Sequence, residues 1–106
     1  MQNNELRLLG LMERAGKLRS GEFAAERSVK AGKSRLCIVS EDASDNTKKK
    51  FRNMCAYRSI PYMEYGTKEM LGHAIGRSER SSLSLEDDGF AARFQELLDG
   101  GNANVR

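Results

Sequence analysis

The hydrophobic positions of this chain fall into short blocks whose period switches repeatedly between that of a helix and that of a strand. Leu6, Leu9, Leu11, Met12 and Ala15 recur at about helical spacing over residues 3–15, and Gly16 suits the stop. Lys17-Leu18-Arg19-Ser20 is a short basic link that predicts at most a minimal edge strand. Ser20 or Gly21 opens a second helix, with Glu22 in the first turn where the helix dipole favours a negative charge. That helix is expected to run to about Ala31 and to end at Gly32. On its wheel Ala24, Ala25, Ser28 and Val29 share the core side, whereas Phe23, Arg27 and Lys30 gather opposite. An aromatic ring on the wet side is its unusual feature.

Leu36-Cys37-Ile38-Val39 is an unbroken apolar run rich in β-branched residues, which suits a central strand covered on both faces. Lys33 and Ser34 leave only a tight link before it, so the second helix must run antiparallel to it. The start of that helix and the acidic turn Glu41-Asp42-Ala43-Ser44 are therefore expected at one end of the molecule, at the carboxyl end of a strand, where α/β folds bind ligands. Ser44 caps a third helix over about Asp45 to Arg58, with Thr47, Phe51, Met54, Cys55 and Arg58 on one side and Lys48, Lys49 and Arg52 on the other. Pro61 suits the start of a strand at Tyr62–Tyr65. Thr67 caps a short helix that continues through Ile75 and stops at Gly76, and the charged loop Arg77-Ser78-Glu79-Arg80 follows. Ser82-Leu83-Ser84-Leu85 alternates as a strand, and Asp87 or Asp88 caps a last helix with the stripe Phe90, Ala91, Phe94, Leu97, Leu98.

Helices alternating with strands predict an α/β fold, a three-layer α/β/α sandwich around a small mixed sheet of about four strands. With 106 residues the chain is long enough for one domain, expected over residues 1–99, and a flexible tail is expected over residues 100–106. Hydrophobic residues make up 39% and charged residues 31%, which is polar for so short a chain but within the globular range. The net charge of +3 hides an asymmetry: residues 1–82 hold 16 basic and 10 acidic groups, residues 83–106 hold 2 and 5. A polyanion partner fits the basic part, and so does a solvated surface.

Cys37 lies in the apolar strand and Cys55 on the core side of a helix, away from any CxxC and from the single histidine, so both read as small buried hydrophobes in a reducing cytoplasm. No apolar run approaches the roughly 20 residues that cross a bilayer, and MQNNELRLLGLM resembles neither a signal nor a transit peptide. Catalysis is poorly supplied. His73 sits inside the short helix and reads as structural or superficial, no serine or cysteine has a base at motif spacing, and Glu41-Asp42 reads as a turn rather than a metal pair. Gly66-Thr67-Lys68 lacks the loop that wraps a nucleotide phosphate. No enzyme, metal or cofactor is expected.

Between Arg14 and Arg35 stand seven basic and two acidic groups, and they surround Phe23. Rings flanked by arginines stack on splayed RNA bases while the cations neutralise phosphates, and a helix N-terminus adds amide donors. The alternative is that Phe23 packs under a neighbouring loop and the charges are merely solvated.

Three segments, GLMERAGKLRSGEFAAERSVKAGKSRLCIVSEDASDNTKKK, GTKEMLGHAIGRSER and DDGFAARFQELL, resemble the bacterial YlxQ-type branch of the L7Ae family of ribosomal proteins over nearly the whole chain to about Leu98. The resemblance implies an α/β/α sandwich that binds structured RNA, typically kink-turns in ribosomal or other noncoding RNA, with no cofactor and no catalytic residue. Kink-turn readers of that family open the second helix with Gly, followed by an Asn-Glu pair and a Lys one turn on. Gly21 matches, Arg27 keeps the charge of the Lys, and Phe23 and Ala24 stand in place of Asn and Glu, which implies altered or lost kink-turn specificity.

The residues expected at the RNA are Lys17, Arg19, Gly21, Glu22, Phe23, Arg27, Lys30, Glu41, Asp42, Arg77 and Arg80. The expected function is that of a non-enzymatic, monomeric, translation-associated RNA-binding protein, with the ribosome as a further candidate partner. A protein-interaction module on the same fold, using Phe23 as an interface hot spot, is the alternative.

Overall fold

A computed structural model describes residues 4–103, and the side chains of residues 4–99. In chain order the elements are α1 (Asn4–Arg14), β1 (Leu18–Ser20), α2 (Glu22–Lys30), β2 (Leu36–Val39), α3 (Asp45–Arg58), β3 (Tyr62–Glu64), α4 (Lys68–Ala74), β4 (Ser82–Leu85) and α5 (Asp88–Ala103). Part of the expected tail thus continues α5 as helix, and residues 104–106 lie outside the described residues.

The apolar run Leu36–Val39 is buried along its whole length because it is interior to the sheet, whose order is β1-β4-β2-β3. β2 pairs with β3 in parallel and with β4 antiparallel, in a register that sets Ile38 opposite Leu83 and Val39 opposite Ser82. β4 pairs antiparallel with β1 on its other side, with Arg19 opposite Ser84. The mixed sheet therefore has two interior strands and two edge strands, β1 and β3, of 3 residues each.

Strand alternation sends successive side chains to opposite faces, and each face carries its own helix layer. On one face Ile38, Leu83 and Leu85 meet Leu9 and Met12 of α1, Leu71 of α4 and Phe94 of α5. On the other, Cys37 and Val39 meet Ala25 and Val29 of α2 and Phe51 and Cys55 of α3. Three layers result, as the alternation of elements predicts.

One local pattern differs from the reading of the sequence, and a second is set by packing. Leu11 is 49% exposed, and the buried stripe of α1 is Leu9, Gly10 and Met12, with Leu6 and Leu8 packed partly against it. Gly10 explains the offset, since a Cβ there would lie 2.8 Å from the Ala74 carbonyl oxygen and hold α1 off α4. In β4 serines alternate with leucines, and all four residues are buried. Small serines let α2 sit close, and beneath it the Ser84 hydroxyl donates to the Ser28 hydroxyl, 2.7 Å away.

Candidate nucleic-acid interface

The β2 carboxyl end is the meeting point of three segments. The Gly21 amide donates to the Ser82 carbonyl at 2.9 Å, and the Ser40 amide donates to the Ser81 carbonyl at 2.9 Å. Arg80 Nε donates to Ser20 Oγ at 3.2 Å, tying the loop before β4 to the end of β1. The tight link at Lys33-Ser34 thus has the effect its length demands: α2 starts where β2 ends.

Gly21 takes φ 97°, a left-handed value that strains any residue with a Cβ. It is the N-cap of α2 and offers no side-chain cap, so the first-turn amides of α2 remain donors for an external acceptor. Phe23, in that turn, is 72% exposed. The Arg27 guanidinium lies 5.6 Å from its ring centroid, and Arg27 has no carboxylate partner among the described residues.

A groove of about 270 Å³ runs beside this pair, between α2 and β1, lined by Arg19, Phe23, Ala24, Arg27, Lys33 and Glu86 among others. At its floor the Ser28 hydroxyl donates to Glu86 Oε2 at 2.6 Å, and Arg19 Nε stands 3.6 Å from Glu86 Oε1. Three cations and one largely covered carboxylate, 12% exposed, leave the groove net positive with an aromatic wall.

The remaining predicted residues divide by their partners. Glu22 and Lys30 turn toward α3 rather than toward Phe23: Lys50 Nζ lies 2.8 Å from Glu22 and 2.7 Å from Glu26, and Lys30 Nζ lies 2.7 Å from Glu26. Hydrogen bonds from Lys30 and then Lys50 hold the Glu26 carboxyl down at about 2. Asp42 Oδ1 accepts the Lys68 amide at 2.9 Å and so fixes the start of α4, while the Glu41 amide donates to Gly66. Desolvation opposes the charge on Asp42, but hydrogen bonding to its carboxylate, the Lys68 amide's included, prevails and lowers its pKa. Arg77 gives both Nε and Nη2 to Glu13 Oε2, at 3.0 and 2.7 Å. The Lys17 side chain is exposed just before β1, and its carbonyl accepts the Glu86 amide.

The loop Arg77–Arg80 is laid back on α4, with the Arg77 amide donating to Gly72 and the Arg80 amide to Lys68. Gly72 makes that approach possible: a Cβ there would collide with the Ser78 carbonyl oxygen.

Lys33 and Glu86 are groove residues that the reading of the sequence missed. For Glu86 a signal existed, because it stands two residues after Ser84 and shares its sheet face. Lys33 follows the helix stop, and only the closure of α2 onto the sheet brings it to the groove. Among the described residues no cluster of His, Cys, Asp and Glu is arranged to hold a metal ion, and no helix is long and apolar enough to cross a membrane.

Fold and sequence together place the chain in a family. Residues 5–94 match the ribosomal protein L7Ae/L30e/S12e/Gadd45 family, and the chain belongs to it. It is 38% identical over 92 residues, 87% of this chain and 92% of the other, to the RNA-binding protein YlxQ of Bacillus subtilis strain 168. A solved structure of a Bacillus halodurans protein described as of unknown function superposes with a TM-score of 0.88 at 39% identity, covering 92% of this chain and 99% of that one. The Giardia lamblia 15.5kD RNA binding protein shares the fold, with a TM-score of 0.75 at 24% identity over 92% of this chain and 84% of that one.

Proposed function

We propose that this protein is a non-enzymatic RNA-binding protein that contacts RNA with the open start of α2, the Phe23–Arg27 pair and the groove beside it. The observation that carries the reading is an exposed ring held under a guanidinium with no carboxylate partner among the described residues, in a chain whose relatives include one named for RNA binding. A stacked base on Phe23, a phosphate on Arg27 and a further phosphate on Arg19 or Lys33 is the arrangement these groups favour. The RNA is a structured one, ribosomal or otherwise noncoding, met in the cytoplasm. With Phe23 and Ala24 in place of Asn and Glu, the protein lacks the amide and carboxylate for purine edges and relies on stacking and phosphate contacts.

The experiment is a binding titration of a kink-turn RNA and an unkinked duplex over a range of salt. Affinity should fall steeply as salt rises, and Arg27→Ala should weaken both RNAs and reduce the salt slope by about one. Binding of neither RNA, or affinity indifferent to salt, would point to an apolar protein interface at Phe23 instead.

A further inference from the structure

Phe23 is not the only exposed ring under a guanidinium. Tyr57, near the end of α3, is 83% exposed, and Arg58 lies 5.3 Å from its ring centroid. Arg58 in turn lines a second groove, of about 530 Å³, with Gly32, Ser34, Arg35, Ile60 and Asp88 among its walls. This groove lies at the end of the sandwich opposite the start of α2, where α2 and α3 finish and β2 and β3 begin.

We propose that this second groove, with Tyr57 at its rim, binds the single strand that flanks the structured RNA element. Three observations support it. The two grooves share a wall, since Ala31 and Lys33 line the first while Gly32, Ser34 and Arg35 line the second, so a strand leaving one passes over a five-residue link into the other. The charge along that path is positive: Lys33 and Arg58 have no carboxylate partner among the described residues, and Arg35 has only Asp88, at 3.2 Å and 86% exposed. An exposed pair of that kind yields readily to a phosphate. Finally, the Ser34 hydroxyl is buried in the groove wall without a hydrogen-bond partner among the described residues, and a small opening of that wall would offer it to a phosphate oxygen or a ribose hydroxyl. An unstructured strand suits the site better than a duplex, because only unpaired bases present a face to Tyr57. A protein partner would find little apolar surface here beyond Tyr57, Ile60 and Pro61.

The inference rests on the RNA-binding reading above, and the test separates the two. The probes are a kink-turn RNA and the same RNA carrying single-stranded oligouridine at both ends. The extension should raise affinity about tenfold, the scale of one base stacked on an aromatic ring. Tyr57→Ala and Arg58→Gln should each remove most of that gain and leave the unextended RNA bound as before. Photocrosslinks from 4-thiouridine in the extension should fall on residues 57–61. An extension without effect, a gain that survives both substitutions, or a Tyr57→Ala that weakens both RNAs equally overturns the second groove and leaves the first intact. Binding of neither RNA by the wild-type protein overturns both readings.

Discussion

Arg27 lies with its guanidinium 5.6 Å from the centroid of the Phe23 ring, one helical turn along α2 from it. The contact is worth about 0.5–1 kcal/mol at an exposed site, too little to explain leaving a phenylalanine 72% in water for the sake of stability. Its effect is to keep a cation over one face of an exposed ring, the arrangement on which the proposed base stacking rests.

Phe23→Ala should therefore leave thermal unfolding within about 0.5 kcal/mol of the wild type, as is usual for an exposed position. RNA affinity should fall by about 1–3 kcal/mol if a base stacks there. The double substitution Phe23→Asn with Ala24→Glu should shift preference toward a kink-turn over an unkinked duplex. An unfolded Phe23→Ala protein would assign the ring to the core and remove this site.

Gly72→Ala addresses the loop rather than the helix. A single methyl in the path of the Ser78 carbonyl is overpacking against backbone, which costs about 1–3 kcal/mol and displaces the Arg77–Arg80 segment. Loss of stability accompanied by altered amide exchange at residues 77–80 is the expected result. An unchanged melting temperature would mean that the loop does not rest on α4.

The α2–α3 ion pairs make stability depend on acid. Glu26 falls from 4.5 to about 2 in the folded chain, so its stabilising contribution is complete above pH 4.5 and disappears as the pH drops toward 2. Glu26→Gln should cost about 0.2–1 kcal/mol at neutral pH, and the difference from wild type should close over that window. A difference that stays constant with pH would show that the charge of Glu26 is not its source.

Cys37 and Cys55 should react slowly with a thiol reagent until the protein unfolds. Both are fully buried and face each other, and the hydrogen bond Cys37 shares with Cys55, together with burial, pushes the Cys37 thiol up. Rapid labelling of Cys37 in the native protein would contradict its place in an interior strand.

The elements, the three layers and the wet face of Phe23 were legible because each rests on local signals: periodicity, caps and a link too short to allow any other direction for α2. What was not legible rests on partners far apart in the chain. Arg77 reads as a free cation beside Arg80, but α1 supplies Glu13 to it from 64 residues away. Lys30 shares a helical wheel sector with Arg27, yet it pairs with Glu26, the carboxylate that Lys50 of α3 also holds. Cys37 and Cys55 look like two independent apolar positions, and only the packing of α3 on β2 makes them neighbours. The burial of Ser84 rests on a distant partner too, since the Ser28 hydroxyl that meets it stands 56 residues away in the chain.

The two edge strands bear on how the protein behaves at high concentration. β1 and β3 are 3 residues each, one carries Arg19 and the other is preceded by Pro61, which has no N–H to give. A neighbouring copy finds no long row of unpaired amides and carbonyls on which to build, so cross-β polymerisation has a poor template at either margin. Where copies of the chain reach a high local concentration, these short margins keep them from seeding fibrils.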